Sequence, residues 1–208
     1  MIKDPLEKLN EVMEFRATLS PESDRGCALI AAAYLDSELE KLIRLALVDA
    51  PRIADDLLGQ GRPLSTFSAR IDLAYLLGLV GSRVHRDLHL IRRIRNDFGH
   101  DHSPITFESD RIANRCKELS AHPFEPGHPP RRLFMSTAMG VLASIHTGLS
   151  AKQRLVERED EPLAKISLSP SDMAREASEA LERFGPDKQA IISHVLGKYY
   201  PQFLGDDA

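Results

Sequence analysis

The sequence has 208 residues, of which 42% are apolar, and this is enough for a folded core, so a chain that is disordered throughout is excluded. Its 27 basic residues against 31 acidic residues leave a net charge of −4, which excludes a protein that coats nucleic acid through bulk positive charge. Two cysteines cannot build a disulfide framework, so we expect reduced core thiols at Cys27 and Cys116.

Membrane association is not expected. No apolar run reaches the roughly 18–20 residues that a membrane-spanning helix requires. The N-terminal segment is acidic and amphipathic and lacks the apolar stretch of a signal peptide. We therefore expect a cytoplasmic protein.

Helix signals begin near the N-terminus, whereas alternating β-branched runs and hairpin turns are nearly absent from the sequence. A long helix is predicted over about 20–48, with a cap at Ser20 and an end before Pro51. Ser65 is predicted to cap a second helix, about 65–80, which is apolar nearly all round and should lie at the centre of a bundle.

Further helices are predicted in the rest of the chain. One covers about 83–99, with Gly99 as its C-cap. Ser109 and Asp110 begin a short amphipathic helix. A long helix is predicted over about 131–159, and two shorter helices close the chain.

Together these elements predict an all-α fold in three parts. Residues 1–120 form a helical bundle with a core of about five helices, residues 121–130 form a proline-rich linker, and residues 131–208 form a helical C-terminal extension. Gly140 and Gly148 in the extension indicate close helix packing, for example at a dimer interface.

The segment 83–102 concentrates five arginines and four of the eight histidines of the chain. On a helix, its apolar residues share one face and its histidines and arginines lie opposite. A solvated face that is paired with nearby acids is the ordinary interpretation of such a helix. A nucleic-acid-binding strip is the alternative, and its residues are Arg83, Arg86, Arg92 and Arg93.

The same segment contains the pattern RNxxxH, formed by Arg95, Asn96 and His100. A guanidinium matches phosphate oxygens, and an imidazole moves a proton near neutral pH. Together they are the minimal equipment for cleaving RNA without a metal, because His100 can draw the proton from a 2′-hydroxyl while Arg95 stabilises the charge on phosphorus. In this hypothesis Asn96 orients one of the two catalytic residues.

The RNxxxH pattern resembles the motif of the HEPN superfamily, which lies late in a core helix of a small helical domain. The resemblance implies a metal-independent endoribonuclease that dimerises, so that two copies of the motif line one cleft. It also implies that Arg95 and His100 are catalytic.

A longer resemblance is carried by three blocks of sequence, SDRGCALIAAAYLDSELEKLI, GRPLSTFSARIDLAYLLGLV and RDLHLIRRIRNDFGH. In order and spacing they resemble the mannitol operon repressor family. This implies an all-helical transcriptional regulator without a recognisable helix-turn-helix. The first hypothesis is therefore a homodimeric regulator that acts through DNA or through a partner protein, and the endoribonuclease is the alternative.

Two further groups of polar residues are candidates for a site. His85 and His89 have the spacing of metal ligands on one helical face, with His102 as a third candidate. Because no carboxylate partner is evident, we expect surface histidines and neither a metal nor a cofactor. Asp72 and His102 are predicted to support the RNxxxH site, with Asp72 either orienting Arg95 or forming an internal salt bridge.

Overall fold

The computed structural model describes residues 5–100, 103–125, 127–151, 154–159 and 170–199, and the regular elements among them are all α-helices. The prediction of an all-α fold is therefore confirmed. Among these residues no helix combines the length and the apolar character needed to cross a membrane. In chain order, the helices are α1 Pro5–Leu19, α2 Asp24–Ala46, α3 Pro51–Leu58, α4 Phe67–Leu76, α5 Ser82–His100, α6 Asp110–Lys117, α7 Pro130–Ala151, α8 Pro170–Phe184 and α9 Lys188–Tyr199.

The chain divides into two compact units, Met1–Glu157 and Arg158–Ala208. The first unit contains α1 to α7, and the second contains α8 and α9, which pack on each other. The proline-rich segment 121–130, which was expected to link a bundle to an extension, lies inside the first unit. The physical reason is that α7 packs against α1, α2, α5 and α6, so the division follows α7 rather than preceding it.

The core of the first unit is built around α2, which packs against α1, α4, α5 and α7. Its apolar residues recur at intervals of three and four, so they form one broad buried stripe. The helix predicted over 65–80 corresponds to α4, which is shorter than expected and is not the central helix of the bundle. Tyr75 and Leu76 at its end are 42% and 81% exposed. The buried apolar residues of α2 are Cys27, Ala28, Ala31, Ala32, Leu35, Leu39, Leu42, Ile43 and Ala46.

Both cysteines are free and buried, as the sequence predicts. Burial raises the pKa of the Cys27 thiol to about 11 and that of the Cys116 thiol to about 12. Because the thiolate is the reactive form, these two side chains act as small apolar core residues rather than as nucleophiles.

Three helix ends differ from the predicted ones. Helix α2 begins after Ser23, whose side chain accepts a hydrogen bond from the Gly26 N–H, and not at Ser20. Helix α4 begins after Thr66, whose hydroxyl accepts from the Ala69 N–H at 3.2 Å, and not after Ser65. Helix α5 continues through Gly99, which lacks the positive φ of a glycine C-cap.

The close packing that Gly140 and Gly148 indicate is found within the chain. A Cβ atom at Gly140 would collide with the carbonyl oxygen of Ala121, and one at Gly148 would lie 2.9 Å from the carbonyl oxygen of Leu79. These glycines therefore let α7 approach its own bundle closely, and they do not require a dimer interface.

A polar cluster around a buried histidine joins α1, α2 and α7. His146 on α7 is 2% exposed, and its Nε2 lies 3.5 Å from Oε2 of Glu38 and 3.5 Å from Oε2 of Glu11. Lys41 donates a hydrogen bond of 2.6 Å to Glu38. The close contact with His146, reinforced by Lys41, lowers the pKa of Glu38 from its usual 4.5 to about 2 against the opposing effect of burial.

Acid is therefore expected to weaken the fold through Glu38. Since the pKa of Glu38 is lower in the folded chain than in the unfolded chain, the charge of Glu38 stabilises the fold at higher pH. That contribution is lost as the pH falls from about 4 toward 2. We expect Glu38→Gln to lower the free energy of unfolding at pH 7 by about 1.5–3 kcal/mol, the range for hydrogen bonds to charged groups. The free energy of unfolding of this variant should also fall less than that of the wild type when the pH is lowered.

Urea unfolding of both proteins between pH 7 and pH 3 measures this effect. Glu118→Gln, at an exposed residue that follows α6, is the matched control and should leave the acid dependence unchanged. Equal pH dependence in the wild type and in Glu38→Gln would contradict the assignment.

Candidate functional site

Helix α5 carries the candidate site because it is strongly amphipathic. Its apolar residues Leu90, Ile91, Ile94 and Phe98 are all buried, as their helical spacing predicts. The helix packs against α2, α4, α6 and α7, and its remaining face carries the arginines and histidines.

A cleft of about 450 Å³ lies between α2, the start of α4 and the second half of α5. Two of the three predicted RNxxxH residues, Arg95 and Asn96, line this cleft. Arg92, one of the four arginines of the predicted strip, lies there too. The polar residues that complete the lining are Asp36 of α2 together with Ser65, Thr66 and Ser68.

The carboxylate of Asp36, which lines the cleft, is paired with the buried guanidinium of Arg70. Asp36 accepts a 2.8 Å hydrogen bond from Arg70, whose side chain is only 9% exposed. Arg70 also contacts Glu40 at 2.6 Å and donates to the carbonyl oxygen of Leu58 at 2.8 Å. Burial raises the pKa of the Asp36 carboxyl, and the Arg70 hydrogen bond and charge oppose that rise.

The cations of the cleft are not neutralised in this way. Across the described ranges, neither Arg92 nor Arg95 forms an ion pair shorter than 4.0 Å. Arg95 donates a 3.0 Å hydrogen bond to the side-chain oxygen of Asn96. The Nε of Arg92 is buried and has no hydrogen-bond acceptor among the residues that the structure describes.

His100 is placed apart from this cleft. It is exposed in the last turn of α5 and is not one of the lining residues. Five residues of helix separate it from Arg95, which turns the two side chains about 140° from each other around the axis. The structure thus brings Arg95 and Asn96 together in the cleft but does not bring His100 to them.

The other predicted arginines do not share one environment. Arg83 and Arg93 are exposed. Arg86 is tied to the segment after α6, because it donates a 2.5 Å hydrogen bond to the Ser120 hydroxyl and lies 3.6 Å from Asp87. Of the predicted nucleic-acid-binding residues, Arg92 is therefore the one that joins the cleft.

Asp72 has partners other than the one expected. Its Oδ1 lies 2.9 Å from Nε2 of His85 and 2.9 Å from Nε2 of His89, and these contacts lower the pKa of the Asp72 carboxyl. The predicted orientation of Arg95 by Asp72 is not found, because Arg95 lies six residues beyond His89, about 9 Å further along α5. His102, the other supporting residue, lies outside the described residues.

The structure is thus an all-helical bundle with an arginine-lined cleft. Residues 4–127 match the family model described as mannitol repressor. Because the match covers more than half of the sequence, the chain belongs to the mannitol repressor family. The match includes both the cleft and the Asp72 cluster and ends before α7.

One solved structure with the same fold is the X-ray structure of the MtlR-HPr complex from Escherichia coli. The TM-score is 0.54 at 20% sequence identity, and the alignment covers 67% of this chain and 98% of that chain. At this identity the likeness shows the fold alone. No curated protein sequence matches the chain.

Proposed function

We propose that this protein is a transcriptional regulator that acts by binding a protein partner, and that the cleft between α2, α4 and α5 receives an acidic group of that partner. Membership of the mannitol repressor family supports the regulatory role. The similar solved structure is a complex of MtlR with HPr, which supports a protein as the partner and makes HPr the first partner to test.

The observation that carries the proposal is the pair of arginines that line the cleft without forming ion pairs within the described part of the chain. Guanidinium groups bind carboxylates through two parallel hydrogen bonds, and these bonds are stronger than those between neutral groups. The hydroxyls of Ser65 and Ser68 and the positive end of the α4 dipole lie at the same cleft and favour an anion further.

Direct action on nucleic acid has less support. The net charge is −4, and the exposed arginines of α5 have different surroundings rather than forming one continuous strip. The endoribonuclease alternative requires an arginine and a histidine at one reacting phosphate. Among the described residues, His100 is not one of those that line the cleft with Arg95, which gives this alternative less support.

Isothermal titration of the full chain with HPr from the same organism tests the proposal. We expect saturable binding that Arg95→Ala weakens roughly tenfold to a hundredfold, because a hydrogen bond to a charged group contributes about 1.5–3 kcal/mol. Arg92→Ala should act in the same direction. Arg52→Ala removes an exposed arginine from α3, which is away from the cleft lining, and should leave the affinity unchanged.

Two other outcomes would overturn the proposal. One is cleavage of labelled RNA in the presence of EDTA that is lost in both Arg95→Ala and His100→Ala, which would establish the endoribonuclease. The other is salt-sensitive retention of operator DNA without any binding of HPr, which would establish a repressor that acts on DNA directly.

The homodimer expected from the sequence is also part of this proposal. Leu6, Leu9 and Met13 lie at helical spacing along α1 and are each more than half exposed. A second subunit that covers this stripe would remove its apolar surface from water.

A further inference from the structure

Three side chains with metal-ligating atoms converge where α4 meets the first half of α5. Asp72 comes from α4, and His85 and His89 come from α5. Their ligand atoms all lie within 4.8 Å of one another. The Asp72 carboxylate oxygen is 2.9 Å from the Nε2 of each histidine.

The spacing along α5 explains why the two imidazoles meet. Residues four apart lie one above the other on a helix, so both rings point to the same side. The two imidazole rings pack edge to face, with centroids 4.7 Å apart and planes at 85°. The centroid of the His85 ring also lies 4.5 Å from that of the Tyr75 ring. The two imidazoles are therefore oriented before any ligand arrives.

The distances fit a tetrahedral metal site after a small adjustment. Nitrogen and oxygen ligands lie about 2.0–2.1 Å from zinc, which separates two ligand atoms of a tetrahedron by roughly 3.3 Å. The observed separations of 2.9 Å are a few tenths of an ångström shorter. The ligand atoms of the two histidines lie within 4.8 Å of each other.

The exposure of the cluster gives access from solvent. The side chains of His85 and His89 are 27% and 19% exposed, whereas that of Asp72 is 54% exposed. The two imidazoles are thus partly buried against the bundle, whereas the Asp72 carboxylate is exposed to solvent. Two histidines and one carboxylate are three ligands, and catalytic zinc sites leave the fourth position to water or another ligand.

We propose that Asp72, His85 and His89 bind a divalent transition-metal ion of the zinc type and leave one coordination position open. A set of imidazole and carboxylate ligands suits zinc, whereas calcium and magnesium prefer oxygen ligands alone. Metal binding links α4 to α5, which are two of the elements that line the arginine cleft. This proposal does not depend on the partner of that cleft.

Titration of the metal-free full chain, without any histidine tag, with zinc chloride tests the site. We expect one zinc ion per chain, an affinity reduced roughly tenfold or more in Asp72→Asn and in His89→Ala, and a rise in the midpoint of thermal unfolding on adding zinc. His128→Ala removes a histidine outside the cluster and should bind zinc as the wild type does.

Asp72→Asn keeps the shape of the side chain, so it tests zinc binding at this cluster even if His89→Ala does not fold. Cobalt(II) gives a second readout, since its visible absorption reports nitrogen and oxygen coordination directly. Equal zinc affinity in the wild type and Asp72→Asn, or no binding to the wild type, would overturn the proposal. In that event the cluster is a set of hydrogen bonds only.

Discussion

Replacing Asp87 with alanine is expected to lower the free energy of unfolding by about 2–4 kcal/mol, because two backbone donors lose their acceptor at once. Asp87 lies in the middle of α5 and is fully buried. Its carboxylate accepts hydrogen bonds from the N–H of Ser120 at 2.9 Å and from the N–H of Ala121 at 2.6 Å. These bonds fix the segment between α6 and α7 on the bundle.

Urea unfolding followed by circular dichroism measures the loss. Asp56→Ala removes an aspartate whose side chain is 68% exposed and is expected to change stability by less than about 1 kcal/mol. Similar losses in the two variants would show that the buried carboxylate does not hold the α6–α7 segment.

Replacing Arg70 with alanine is expected to destabilise the chain by about 3–5 kcal/mol, the range for breaking a buried ion pair by removing one partner. Arg70 is 8% exposed and contacts Asp36, Glu40 and the Leu58 carbonyl oxygen. Its loss leaves two carboxylates without their shared cation, although Arg44 still contacts Glu40 at 2.8 Å.

The same variant has a functional consequence. Without Arg70, the Asp36 carboxylate in the cleft loses its hydrogen-bonded cation and draws on the charge of Arg95 instead, which weakens the attraction for an incoming anion. At a temperature where Arg70→Ala is still folded, we expect weaker binding of HPr than in the wild type. Arg62→Ala removes an exposed arginine near α3 and is the control for both stability and binding. Wild-type stability in Arg70→Ala would contradict a buried network at this place.

The amphipathic helices follow from the sequence, but the contacts between helices do not. The spacing of Leu90, Ile91, Ile94 and Phe98 alone predicts the buried face of α5, and the structure confirms it. The residues at which helices begin are harder to predict from the sequence, since Ser20 and Ser23 are equally good N-caps. The choice between them depends on Arg131, a residue more than a hundred positions away that donates to carbonyl oxygens of the turn between them, including that of Glu22 at 2.6 Å.

The candidate site could also be predicted only within single helices, and not across the contacts between them. Arg95 and Asn96 are recognisable within one helix, whereas Asp36 and Ser65 join them only when α2 and α4 pack against α5. Asp36 and Glu40 lie four residues apart at the edge of the buried stripe of α2, so their spacing was a usable signal for a cation that contacts both. Asp72 as the partner of His85 was not predictable, since it depends on how α4 lies on α5.

The central claim is that the cleft between α2, α4 and α5 is where a protein partner binds. The most direct measurement is the change in the backbone amide NMR spectrum of the isotope-labelled chain when unlabelled HPr is added. We expect the largest shifts at residues 65–68 and 92–96, with smaller shifts in Arg95→Ala at the same HPr concentration. Shifts confined to α6 and α7, or an unchanged spectrum at saturating HPr, would contradict it.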